Sequence, residues 1–182
     1  MKRKFLSLAA CLLIAAPGIA QAAEPPCLAP AEFTSLAGYA LPSLISGTTA
    51  RCGASLGPSA FLSRSGKDLA TRYAQGKTAN WPGAKAAFLK LSASTNKDAN
   101  QIIGTLPDAT LQQMLDAVME GMAGQQIPVE KCGTIDNVVR LLSPLPPANT
   151  AELIALAVGL GAKSGPGKNG KAKVGSFTLC PA

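Results

Sequence analysis

The sequence predicts an all-α protein: a single irregular bundle of about six or seven short helices, stapled by disulfides and closed by a Gly/Lys-rich C-terminal tail. Three observations predict it. Aromatic residues make up only 4% of the chain, while Ala and Leu are abundant, a composition that favours helix over strand. Apolar residues recur at helical spacing in segment after segment. Prolines and glycines then separate those segments.

The clearest stripe is Leu111, Met114, Leu115, Val118, Met119 and Met122, which share one helical face and are expected in the core. Asp108 is placed to cap this helix and Gly124 to end it. Weaker stripes run through Phe33, Leu36, Ala40 and Leu44, and then through Ile45, Thr49, Cys52 and Leu56. Further stripes comprise Leu69 and Tyr73; Ala84, Ala87, Phe88 and Leu91; and Ala99, Ile102, Ile103 and Leu106. Trp81-Pro82 is expected to open a helix and Thr95 to cap one. Cys132, Ile135, Val139 and Leu142 also share a face, and Pro144, Pro146 and Pro147 end their helix. Asn149 to Glu152 resembles a capping box and opens a last helix from about Thr150 to Ala162. Its apolar character on most sides predicts a place at the centre of the bundle. Only Val174 to Leu179 offers a competing strand.

The first residues follow the order of a secretory signal. Lys2, Arg3 and Lys4 precede an apolar run from Phe5 to Ala20, and Ala20-Gln21-Ala22 supplies a small-x-small cleavage pattern. The run is interrupted by Pro17 and Gly18 and falls short of the roughly 20 apolar residues of a membrane span. Leu8 to Cys11 resembles a lipobox, but Cys11 lies too early within the apolar run. The expected organisation is therefore a cleaved signal peptide over residues 1–22 and a helical domain over 23–162. A flexible basic connector and tail over 163–182 follow, tethered by Cys180. Export to the periplasm, or full secretion, is the expected destination, with no membrane span in the mature chain.

Removing the leader leaves Cys27, Cys52, Cys132 and Cys180, an even set in an exported chain that has no histidine. Two disulfides are expected, not a metal site, because the spacing contains no C-x-x-C and no imidazole is available. Geometry favours one pairing. A continuous helix from Pro30 to Leu56 would separate Cys27 from Cys52 by roughly 35 Å, whereas a disulfide needs Cα atoms within about 7 Å. A break at Pro42 would readmit that pair. Cys52 and Cys132 both lie on core faces, and Cys27 and Cys180 both lie in terminal segments, so Cys52–Cys132 with Cys27–Cys180 is favoured.

The chain lacks much catalytic equipment. Without histidine, the commonest general base and the Ser–His and Cys–His pairs are missing. Asp116 and Glu120 are four residues apart, opposite the Leu/Met stripe, and are expected on a solvated face instead of across a cleft. Ser94 to Lys97 has Ser-x-x-Lys spacing but no companion motifs, and Gly165 to Gly170 matches G-x-G-x-x-G without the strand before it or the helix after it. No cofactor is expected.

The whole chain carries a net charge of +7, of which the leader contributes +3. Most of the remaining excess lies in Lys163, Lys168, Lys171 and Lys173 of the C-terminal connector. These form either a solubilising loop or a contact for an anionic surface. Nucleic acid is an unfavoured partner, since there is no Arg-rich stripe and only Trp81 offers an indole for stacking. Met114, Met119 and Met122 read as core, not as an adaptable groove. These features lead to an expectation of a non-catalytic exported protein that binds a protein or envelope component, as an inhibitor, immunity or adaptor protein does. A carrier of a small apolar ligand or lipid is the alternative, and a hydrolase working without histidine the third reading.

Overall fold

The computed structural model describes residues 27–163, 172–174 and 177–180. The proposed signal peptide, Lys168, Lys171 and the Gly165–Gly170 motif lie outside these residues. The fold is all-α. Among the described residues, seven α-helices run in order: α1 Pro30–Gly53, α2 Phe61–Ala74, α3 Lys77–Thr95, α4 Lys97–Thr105, α5 Asp108–Gln126, α6 Cys132–Leu142 and α7 Pro147–Lys163. A 3-10 turn, Val129–Lys131, precedes α6, and strands β1 Ala172–Val174 and β2 Phe177–Leu179 form an antiparallel hairpin after α7. The sequence offers a single strand at Val174–Leu179, whereas the structure has two short strands paired antiparallel, with Val174 opposite Phe177.

Helix α1 is the axis of the molecule. It packs against α2, α3, α5 and α7. Pro30 occupies its first turn, where a missing N–H costs nothing, and the Glu32 carboxylate accepts a hydrogen bond of 2.9 Å from the Ala29 N–H. The helix continues through Pro42, although that residue has no N–H to offer the Gly38 carbonyl. Burial of Tyr39, Ala40, Ser43 and Ile45 around the proline supplies the tertiary contacts that hold the helix together there. The two stripes read at residues 33–44 and 45–56 therefore lie on one helix.

Small residues bring the neighbours close. A Cβ on Gly47 would lie 2.3 Å from the Glu120 backbone oxygen in α5, and one on Gly66 in α2 would lie 2.3 Å from Thr49 Oγ1. Gly83 of α3 sits equally tight against Ser35. This explains why α1, not α7, holds the centre. The apolar α7 leaves Leu153 43% and Leu156 60% exposed and contributes Ala151 and Val158 to the interior. A segment of large apolar side chains covers a bundle from outside, whereas a segment of Gly, Ser, Thr and Ala can be surrounded on four sides.

Among the described residues, three apolar clusters follow α1. The largest joins Leu28, Leu36, Tyr39, Trp81, Ala84, Ala87, Leu111, Leu115 and Leu179. The second joins Ile45, Leu69, Ala70 and Tyr73, and the third surrounds Leu62 and the Cys52–Cys132 bridge. Both disulfides of the favoured pairing are present, with Cα separations of 5.1 Å for Cys27–Cys180 and 5.4 Å for Cys52–Cys132. The first is reinforced by Leu28, whose N–H donates to the Thr178 carbonyl and whose carbonyl accepts from the Cys180 N–H, each at 2.8 Å.

Helix ends differ in detail from the sequence expectations. Helix α3 begins at Lys77, with Pro82 inside it, and Trp81 is buried against Tyr39 with ring centroids 5.1 Å apart. Asn96, not Thr95, caps α4 through its side-chain oxygen. Asp108 is the first helical residue of α5, where its carboxylate accepts from Trp81 Nε1 at 2.8 Å and pairs with Lys85 at 2.6 Å. Helix α5 passes Gly124 and ends at Gln126. Helix α7 starts at Pro147, ahead of the Asn149 box, and Thr150 turns inward to share a 2.8 Å hydrogen bond with the Tyr73 hydroxyl.

Candidate functional site

The α5 face meeting α1 is rotated from the one its stripe marks. Leu111, Leu115 and Ala123 are buried, while Val118 and Met122 are 49% and 41% exposed. The rotation follows from Gly47, which admits the α5 backbone at Glu120 and so turns Asp116 and Glu120 toward α1. Met114 and Met119 remain partly buried against the main core. Both carboxylates border an open groove beside α1, where Glu120 is exposed and the Asp116 side chain is 34% exposed.

Helix α1 floors that cleft, α2 forms one wall and α5 the other. It consists of two adjoining recesses. One, of about 450 Å³, is bounded by Ser46, Thr49, Gly53, Ser63, Lys67 and Glu120. The other, of about 430 Å³, is bounded by Pro42, Ser43, Ser46, Lys67, Lys77, Asp116 and Glu120, among others. Ser46, Lys67 and Glu120 border both recesses and mark the waist between them.

One end of the cleft is satisfied internally. Asp116 Oδ1 accepts from Ser43 Oγ at 3.0 Å and from Lys77 Nζ at 2.5 Å, and Lys77 Nζ stands 4.5 Å from the centroid of the Tyr39 ring. Burial, seconded by the negative charge of Asp116, pushes the Tyr39 phenol well above its ordinary range, so this ring stays neutral. Ser43 is buried and has its proton directed at a carboxylate already neutralised by an ammonium.

The waist is different. Among the described residues, Lys67 Nζ, the Glu120 carboxylate and the Ser46 hydroxyl have no hydrogen-bond or ion-pair partner, and the first two side chains are on exposed residues. Beneath them Thr49 Oγ1 is buried and unpartnered.

The sequence-derived candidates lie elsewhere. The four cysteines form the two bridges. Lys163 ends α7 and Lys173 lies in β1, opposite Thr178; α7 and β1 are in contact, so these two lysines sit on neighbouring elements. Ser94 donates to the Leu91 carbonyl at 2.7 Å at the end of α3, so the Ser-x-x-Lys spacing marks a helix junction. Sequence reasoning found Asp116 and Glu120 but not the Ser43 and Lys77 partners of Asp116, and it missed Lys67 and Ser46 as well. A usable signal was present. Ser43, Ser46, Ala50 and Gly53 recur every three or four residues, marking a side of α1 that is neither apolar nor charged. Among the described residues, no helix is long and apolar enough to cross a membrane. No family model, curated protein or solved structure matches the chain.

Proposed function

We propose that this is an exported, non-catalytic helical protein that binds a protein or envelope component, as an inhibitor, immunity or adaptor protein does, and that it binds through the α1 cleft. The observation that carries the reading is the waist: opposite charges on facing walls, each without a partner among the described residues. Charged groups held apart from one another at a concave surface favour a ligand that supplies the missing partners. The internally bonded Ser43–Asp116–Lys77 cluster supports binding over hydrolysis, since the carboxylate that accepts the serine proton's hydrogen bond is already paired with the Lys77 ammonium. Export is supported by the signal-like order of residues 1–22 and by the two disulfides, which persist in oxidising compartments.

Two measurements test this. Fractionation and N-terminal sequencing are expected to find the protein in the periplasm or medium, starting at Ala23; a cytoplasmic protein retaining its leader defeats export. Crosslinked capture from the envelope of its own cell, with the wild-type protein beside K67E and E120K, is expected to yield a partner that each variant loses. Capture that is indifferent to both substitutions rules out the cleft as the binding surface.

A further inference from the structure

We infer that the α1 cleft accepts an extended peptide segment carrying one basic and one acidic side chain, the basic group at Glu120 and the acidic group at Lys67. The inference rests on the binding reading above and names the ligand's chemistry. The floor runs from Pro42 to Gly53, about 16 Å of helix. That length matches about five residues of extended chain.

The polar groups at the waist define the complement. A chain crossing it meets an ammonium on the α2 wall, a carboxylate on the α5 wall and the Ser46 hydroxyl between them. A hydroxyl both donates and accepts, which suits a main-chain amide. A ligand bearing only anionic groups, such as a phosphate or lipid headgroup, would pair with Lys67 but bring like charge beside Glu120. An apolar ligand would remove Lys67 and Glu120 from water without replacing the lost interactions. A mixed-charge peptide satisfies all three groups at once.

The walls are also fixed before any ligand arrives. Gly47 seats the α5 backbone on α1 at Glu120 itself, and Gly66 seats α2 on Thr49 one residue before Lys67. Both charged residues therefore stand at points where two helices cannot approach further. A cleft built this way has little ordering left to do on binding.

The test is a ¹⁵N NMR titration of disulfide-bonded protein comprising residues 23–182, using end-blocked pentapeptides so that only side chains carry charge. The probes are Ala-Lys-Ala-Glu-Ala, its reverse, the Lys-Lys and Glu-Glu analogues, and free glycine as a small zwitterion. At least one mixed peptide is expected to shift amides of residues 42–53, 63–74 and 116–120 saturably, with the like-charged peptides and glycine at least about fivefold weaker. K67E is expected to turn the preference toward Lys-Lys, and E120K toward Glu-Glu, each with the wild-type melt. Absence of saturable shifts from either mixed peptide, equal binding by all probes, or preferences unmoved by the charge reversals would overturn the inference. Two of these failures are told apart by the capture experiment. If captured partner still depends on Lys67 and Glu120, the cleft binds something other than an extended peptide; if it does not, the binding reading falls as well.

Discussion

Gly66 lies so close to Thr49 that a single added methyl would meet Thr49 Oγ1 at 2.3 Å and Thr49 Cγ2 at 2.9 Å. The contact joins α2 to α1 beneath the cleft. A glycine inside a helix is ordinarily a loss of about 0.5–1 kcal/mol against alanine, so its presence here reflects space. G66A alone is expected to destabilise by about 1–3 kcal/mol through overpacking. T49A, which removes both clashing atoms and a buried hydroxyl with no partner, is expected to be nearly neutral alone and to recover most of that cost in the double variant. Urea denaturation of the four proteins of this cycle measures it; additive effects of the two substitutions would refute the contact.

The two disulfides should respond differently to reductant. Cys52 and Cys132 are 0% and 1% exposed, whereas Cys27 and Cys180 are partly exposed. Thiolate attack requires access. Mild reductant is expected to open Cys27–Cys180 first, seen as one alkylated pair by mass spectrometry, and stronger reduction to lower the melting temperature further. Each bridge is expected to contribute about 2–4 kcal/mol. A melt unchanged in strong reductant would exclude a stabilising role for either.

Acid should loosen the start of α1. Lys90 bonds both oxygens of Glu32, at 2.6 and 2.7 Å, and chiefly this contact holds the Glu32 carboxyl below its ordinary value of 4.5, with the Ala29 N–H assisting and burial opposing. A depressed folded-state value means that the stabilisation is complete above about pH 4.5 and is lost as pH falls through the folded-state value. E32Q is expected to be less stable than wild type at pH 7, with the difference closing between pH 4.5 and lower pH. A constant difference across that range would assign Glu32 no titrating role.

Helix α2 begins with an unusual cap. Its own Ala60 offers no side-chain acceptor, and Asp136 of α6 accepts instead from the Phe61 and Leu62 N–H groups at 3.2 and 2.7 Å. D136A is expected to cost about 1 kcal/mol and to raise hydrogen exchange in the first turn of α2, with D136N recovering part of the loss. Unaltered exchange at Leu62 would show the cap to be unimportant.

Much of the helical layout can be read from residue spacing, because prolines and glycines punctuate it and α6 carries its apolar face plainly. The cysteine pairing is legible too, since it depends mainly on the length of α1. The central position of α1 is not. Its buried residues include Gly38, Gly47, Ser43 and Thr48 beside Leu36, Tyr39 and Ile45, and the first four are types that hydropathy counts as loop or surface. The α5 orientation escapes for a related reason. Periodicity shows which face is most apolar, but Gly47 determines which face can come closest, and that constraint lies on a different helix. The cleft follows from that orientation, so Lys67 and Lys77 come to line one surface with Asp116 and Glu120 only once α2, α3 and α5 are assembled on α1.

The Cys27–Cys180 bridge, with its 153-residue separation, has a mechanical consequence. Tension applied between residues 27 and 180 is carried by one covalent link, and none of it reaches the helices. A translocating motor that draws in the chain together with both bridged ends cannot feed a single strand through a narrow pore. It must draw two strands side by side or wait for the bridge to be reduced. The bundle inside the loop is therefore shielded from end-on extraction by a single bond beside Leu28 and Leu179, and that shielding disappears in a reducing compartment.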